Sequence, residues 1–358
     1  MSNLFEPLHF CNGAVMKNRL ALAPMTNLQS HSDGRLSDDE YRWLTMRASG
    51  GFGLTMTCAS HVQAIGKGFP GQLGCFSDQH LEGLSRLANG IRAEDSLAIL
   101  QLHHAGMRSP VKESGEQPVC PSDDEKIGAR ALSLAEVAQL KEDFILAAMR
   151  AEKAGFDGIQ VHGAHGYILC QFLSPEINRR TDHYGGSLQN RARLLFEIID
   201  GIKDRCREDF LLSVRLSPER FGMKLGEIIE VSQQLCSEGK IDLLDISLWD
   251  SFKEPAEEAY QGRSLMSYFT ELDRGNVRLG VAGKIQTGHD AQRCLDLGVD
   301  CAIIGRTAIL HHDFPRQVLT DPAFKPVSIP VTEDYLRSQG LGEAFIQYMA
   351  GWDGFVKP

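Results

Sequence analysis

The segment Ile159-Gln160-Val161-His162-Gly163-Ala164-His165-Gly166-Tyr167 carries the densest chemistry in the chain. An apolar run rises to two histidines, and a tyrosine follows two residues later. Imidazoles can donate hydrogen bonds to a carbonyl-type oxygen, and a phenol can deliver a proton. The apolar run reads as a buried parallel strand. The polar cluster then falls at the strand's carboxyl end, where parallel sheets bind ligands.

Eight such apolar runs are spaced along the chain, each followed by a plausible helix. They span 20–26, 53–62, 97–104, 158–166, 211–218, 243–250, 278–285 and 301–309. The intervening helical patterns include 133–154 and 187–208. Ser133 and Ser187 suit their N-caps, and Gly155 sits just past the end of the first. Strand alternating with helix predicts an α/β fold with a parallel sheet. Eight equivalent units favour a closed (β/α)8 TIM barrel over an open doubly wound sheet. No interdomain linker appears, so 1–358 reads as a single domain. A polar interruption at 106–132 is long enough to form a lid or subdomain. The tail, 312–358, ends in Gly351-Trp352-Asp353-Gly354-Phe355. These aromatics dock on the barrel, the simpler reading, or on a second copy in a homo-oligomer.

The last two strands end in Gly283-Lys284 and Gly305-Arg306, where barrels often bind phosphate. Glycine lets backbone N–H groups approach phosphate oxygens, and arginine adds a bidentate contact. Gly66-Lys67-Gly68-Phe69-Pro70-Gly71 matches GxGxxG only formally. Pro70 interrupts it and the next helix starts near Ser77, so a loop is expected there. Thr26, Gln101 and Arg215 each sit near a strand end and together suit the polar edge of an isoalloxazine. A metal reading of His162 and His165 would need a third ligand, such as His103 or His104. The first strand's end has no histidine or carboxylate, and HExxH is absent. Two donor histidines beside Tyr167 fit the pattern better, so no metal is expected.

The 358 residues suffice for a large core, and the formal net charge of -10 argues against a nucleic-acid partner. Nine scattered cysteines without a CxxC pair fit free thiols in a reducing cytoplasm. Neither a basic leader followed by an apolar stretch nor a membrane-length span is present, so no membrane partner is expected.

The chain resembles the Old Yellow Enzyme family of FMN-dependent ene reductases. The most specific stretch runs from His162-Gly163-Ala164-His165-Gly166-Tyr167 through Gln171-Phe172-Leu173-Ser174-Pro175 and Asn178-Arg179-Arg180-Thr181-Asp182-His183-Tyr184-Gly185-Gly186-Ser187 to Asn190-Arg191-Ala192-Arg193. Ala23 to Thr26, Gln101 to Gly106 and Val214 to Pro218 support it, and it covers roughly 3–320. The resemblance implies non-covalent FMN, with NADPH or NADH as reductant. It implies that Pro24, Met25, Thr26, Ala59, Gln101 and Arg215 surround the flavin ring. Gly283, Gly305 and Arg306 would hold the phosphate. His162 and His165 would bind the oxygen of a small electrophilic alkene, and Tyr167 would protonate it. Bacterial members often carry cysteine where this chain has Thr26. Larger relatives add an iron–sulfur motif and a nucleotide-binding domain after the barrel, neither of which is expected here. The rival readings are a metal-dependent (β/α)8 hydrolase or isomerase, and a flavin-binding protein with incidental reductase activity.

Overall fold

The computed structural model describes residues 2–357. Eight parallel strands close into a barrel in which sequence neighbours are spatial neighbours. They are β1 (Leu20–Leu22), β2 (Leu54–His61), β3 (Leu97–His103) and β4 (Gly158–Gly163). Then follow β5 (Leu211–Leu216), β6 (Leu243–Ser247), β7 (Arg278–Ala282) and β8 (Cys301–Ile304). The fold is the expected (β/α)8 barrel.

Alternation along the strands sorts the core into two layers. Leu22, Leu100, Val161 and Leu212 face the surrounding helices. Ala21, Met56, Ile99, Leu211, Leu243 and Ile303 fill the barrel's interior, joined by Leu8, Phe10 and Met16. Leu8 and Met16 are paired in a short antiparallel hairpin, Leu8–His9 against Val15–Met16, and Phe10 lies in its turn; this hairpin plugs the amino-terminal end of the barrel. With that end closed, ligand access is left to the carboxyl end.

The two long helices form as their caps predict. Leu134–Lys153 starts at Ser133 in a capping box with Glu136, and Gly155 takes φ 92° just beyond its end. Leu188–Arg205 starts at Ser187, whose hydroxyl accepts from the Asn190 N–H. Other expectations need correction. The runs at 20–26, 243–250 and 278–285 leave the ladder at Leu22, Ser247 and Ala282. The run at 301–309 divides into β8 and a helix, Arg306–Leu310. Strand ends that peel away from their neighbours open a cavity, and apolar composition alone cannot mark where pairing stops. Between β6 and β7 only short helices form, a 3-10 turn at Glu258–Tyr260 and Ser267–Thr270, rather than a full crossover helix.

Segment 106–132 is folded, with a helix Val111–Ser114 and a two-stranded pairing of Val119–Cys120 with Arg130–Ala131. Arg180 donates to the carbonyls of Pro121 (2.9 Å) and Leu132 (2.5 Å), and Arg179 donates to that of Asp123 (2.6 Å). Met107, Cys120 and Ala129 form a small core against Ile177. The GxGxxG match lies in loop and turn; Ala64–Gly66 is one 3-10 turn, and Lys67 pairs with Glu113 at 3.1 Å. The tail folds back on its own barrel. Phe345 meets Trp43 edge to face at 4.8 Å, Phe355 is buried, and the Gly342 N–H donates to Gln29 Oε1 at 2.7 Å.

Candidate active site

A cavity of about 540 Å³ opens at the carboxyl end of the strands. Its wall is assembled from strand ends distant in sequence. Pro24, Met25 and Thr26 follow β1; Arg215 is on β5, Ser247 ends β6 and Trp249 lies just beyond it. Gly283 to Gln286 follow β7 and Gly305 to Thr307 follow β8. His165, Tyr348 and Trp352 complete the rim. The expected residues Pro24, Met25, Thr26, Arg215, Gly283, Gly305, Arg306 and His165 therefore line one space. Ala59, Gln101, His162 and Tyr167 are not on this wall; they stand beside it.

The histidines and the tyrosine form one cluster. The His162 ring lies 5.0 Å from His165 and 5.1 Å from Tyr167, both edge to face. His103 meets Tyr167 at 4.3 Å, also edge to face. His162 Nε2 is 3.3 Å from His165 Nδ1, and His165 Nε2 is 2.8 Å from Ser247 Oγ. His165 takes a left-handed backbone, φ 61°, and its N–H donates to Ser217 Oγ at 3.0 Å. Burial lowers the His162 pKa well below the ordinary imidazole value and pushes His165 down to about 3; His103, Arg215 and Arg108 add in the same sense. Both rings are therefore neutral donors, each with one N–H. Burial raises the Tyr167 pKa, while the Arg108 guanidinium, 5.0 Å above the ring, opposes this. The phenol keeps its proton at neutral pH.

A buried polar chain crosses the barrel beneath them. Gln101 Nε2 donates to Gln160 Oε1 (2.8 Å), and Gln160 Nε2 donates to Ser213 Oγ and Asp245 Oδ2, both at 3.1 Å. Arg215 Nε sits 3.2 Å from Asp245 Oδ2, at ion-pair distance but not aligned as a hydrogen bond. Burial raises the Asp245 pKa, and Arg215 pulls it back. Arg215 therefore keeps donor capacity for something placed beside it. Ala59 is the register partner of Gln101, just beyond the irregularity in β2 that follows Met56.

The glycines at the far end of the cavity do different work. A Cβ on Gly283 would meet the backbone N–H groups of Asp250 and Ser251 at 2.9 and 3.0 Å. Its glycine serves close packing of the β6 loop. A Cβ on Gly305 would meet Ala23 and Met25 at 3.9 Å, ordinary contact, so this position on the cavity wall is far less crowded than Gly283. Lys284 pairs with Asp250 at 3.1 Å. Arg306 is exposed on the wall, with no carboxylate at ion-pair distance among the described residues. Nor do the described residues gather three His, Cys, Asp or Glu side chains that could hold a metal ion.

Gln160, Asp245 and Ser247 were not singled out from the sequence. Gln160 lies two residues before His162, and Asp245 two before Ser247, so strand alternation puts each pair on one face. That signal was readable. Trp352, one of the tail aromatics expected to dock on the barrel, takes its place on the rim, while Trp249 and Tyr348 had no signal, because their place depends on loops and on the tail folding back.

Residues 3–321 match the model of the NADH:flavin oxidoreductase / NADH oxidase family. The chain is 36% identical over 330 residues to a probable NADH-dependent flavin oxidoreductase, YqiG, of Bacillus subtilis, covering 89% of this chain and 86% of that protein. It is 34% identical to an NADPH dehydrogenase of Halalkalibacterium halodurans, covering 85% and 90% of the two chains. The structure of an old yellow enzyme homologue from Zymomonas mobilis superposes with a TM-score of 0.81 at 27% identity, over 97% of this chain and 99% of that one. With an eight-stranded barrel and a cavity at its carboxyl end, the chain belongs to the Old Yellow Enzyme family, the NADH:flavin oxidoreductases, and is an enzyme that uses FMN with NADH or NADPH as reductant.

Proposed function

We propose that this enzyme reduces activated carbon–carbon double bonds, with enones as the main class and nitro compounds as a second. The observation that carries this reading is the meeting of a protonated phenol, Tyr167, with two neutral imidazoles at the lip of the cavity. The cavity suits non-covalent FMN. Arg306 and the uncrowded Gly305 suit its phosphate, Gly283 shapes the turn beside them, and Arg215, which lines the cavity, would stand beside the ring. Thr26, with Pro24 and Met25, would flank the ring, while Ala59 and Gln101 would border its polar edge. When bound, FMN supplies the hydride for the alkene's β-carbon.

The chain's own residues do the remaining work. His162 and His165 hold the electron-withdrawing oxygen and stabilise the negative charge that develops there. Tyr167 Oη gives a proton to the α-carbon. Arg108, which donates to the His165 carbonyl, holds this loop in place beneath Tyr167. Arg215 places positive charge where the ring edge becomes anionic. Family membership removes the hydrolase and isomerase reading. Against a flavin carrier with incidental activity stands the donor cluster, since mere binding needs no acid. No described helix is long and apolar enough to cross a membrane. Free cysteines throughout, most of them buried, favour a cytoplasmic setting.

Two measurements decide the matter. Purified protein should be yellow and release FMN on denaturation. It should then turn over cyclohexenone-type substrates with NADH or NADPH. FAD in place of FMN, or flavin reduction without turnover of any enone or nitroalkene, would refute the proposal.

A further inference from the structure

The two histidines do not face a ligand independently. His162 Nδ1 accepts the Ala164 N–H at 3.2 Å, which puts the ring proton on Nε2. That Nε2 lies 3.3 Å from His165 Nδ1, and His165 Nε2 lies 2.8 Å from Ser247 Oγ. Two proton arrangements suit these distances. In the first, His162 Nε2–H donates to His165 Nδ1, and His165 Nε2–H donates to Ser247. Every ring proton is then used, and no N–H is left for a ligand. In the second, the Ser247 hydroxyl donates to His165 Nε2, so the His165 proton sits on Nδ1. Two N–H groups now converge across 3.3 Å, and an acceptor oxygen lodged against both satisfies them. A hydroxyl can donate or accept without moving, which a methyl group cannot do.

We propose that Ser247 is a positioning residue that lets His165 change tautomer, so that a ligand oxygen is met by two N–H donors instead of none. The inference rests on the reading of His162 and His165 as oxygen binders. In the change His165 loses a proton from Nε2 to water and gains one at Nδ1, so its charge is unaltered. Its low pKa agrees, because the ring never needs to become cationic. The left-handed backbone of His165 and its N–H bond to Ser217 keep the ring where both neighbours can reach it.

The test uses the FMN-loaded enzyme with ¹⁵N-labelled histidine and 4-nitrophenol, whose oxygen is an acceptor. In the wild type, adding the phenol should move the His165 proton from Nε2 to Nδ1, read from the ring-nitrogen shifts. By calorimetry, Ser247→Ala should bind the phenol about 3- to 10-fold more weakly, the loss of one neutral hydrogen bond. Ser247→Thr, which keeps the hydroxyl, should restore most of the affinity. A His165 proton that stays on Nε2 in the complex, or wild-type affinity in Ser247→Ala, overturns the inference. His165→Ala separates the two levels. If it binds the phenol normally, the histidine reading falls and this inference with it. If it binds weakly while Ser247→Ala does not, the role of Ser247 alone falls.

Discussion

Tyr167 is held as an acid by burial, and its removal should separate two half-reactions. Tyr167→Phe deletes only the hydroxyl, while the ring still packs against His103 and His162. Flavin reduction by the nicotinamide should stay near normal. Reoxidation by cyclohexenone-type substrates should slow by about 10²–10⁴-fold, the usual range for losing a general acid. A nitroalkene should suffer less, because its nitronate can be protonated later by water. Stopped-flow absorbance reads both steps, and a slowed reductive step with a normal oxidative one would show that Tyr167 is not the proton donor. Arg306 gives a second residue-level expectation. It is exposed on the cavity wall without a carboxylate partner, so Arg306→Ala should cost about 1.5–3 kcal/mol of FMN binding, or roughly ten- to a hundred-fold in Kd. Fluorescence titration of FMN into the apoprotein measures it, and an unchanged Kd would move the phosphate elsewhere.

At the level of elements, the string that most strongly marks the family is largely structural. Asn178 donates to the carbonyls of Phe172 (2.7 Å) and Tyr184 (2.8 Å). Arg191 bonds the Leu173 carbonyl and pairs with Glu227 at 2.8 Å. Arg180 reaches from this string to the 106–132 segment and pairs with Asp182 at 2.6 Å. These contacts fix the chain that follows Tyr167, so the part of the string beyond Tyr167 supports the proposed proton donor. Arg180→Ala removes two bonds to carbonyls of that segment, a local loss of about 1–3 kcal/mol. Amide hydrogen exchange across 119–131 should speed up accordingly, with helix Leu134–Lys153 protected as before. Unchanged exchange would mean that the small core around Cys120 suffices to hold the segment.

For the molecule as a whole, buried imidazoles couple stability to acid. Burial lowers His61 and His80 to about 4, and His104 and His165 to about 3; His103, His162 and His311 are lowered as well. A histidine with a lowered folded pKa stabilises the protein fully above its unfolded value near 6.5. That stability is lost as pH falls toward the folded value, because the unfolded chain takes up the proton first. Each such group costs up to about 1.4 kcal/mol per pH unit below 6.5. Buried Glu40 and Asp245 have raised pKa values and act in the opposite sense, but they are fewer. Thermal unfolding followed from pH 7.5 to 4.5 should therefore show a falling Tm, steepest below pH 6.5. A flat profile would mean that these rings take up protons in the folded state as readily as in the unfolded chain.

The barrel was legible because its signals are local. Apolar runs at regular spacing, Ser133 and Ser187 as caps and Gly155 past a helix end each depend on a few neighbouring residues; the eight strands and these helix ends formed as read, though several runs end short of their expected length. The residues with chemistry were legible too, since polar groups at strand ends stand out against apolar runs. Their roles at the level of single contacts were not. That His165 chains to both His162 and Ser247, that Gln101 is tied to Gln160, and that Gly283 serves close packing while Gly305 is less crowded depend on strands far apart in sequence. Where each strand leaves the ladder was likewise decided only on closure, because apolar residues continue beyond the last paired one. The sequence by itself determined which side chains end the strands. Closure of the barrel, and the tail folding back beside Trp249, decided which of them share one cavity, for no local pattern encodes a contact between segments some hundred residues apart.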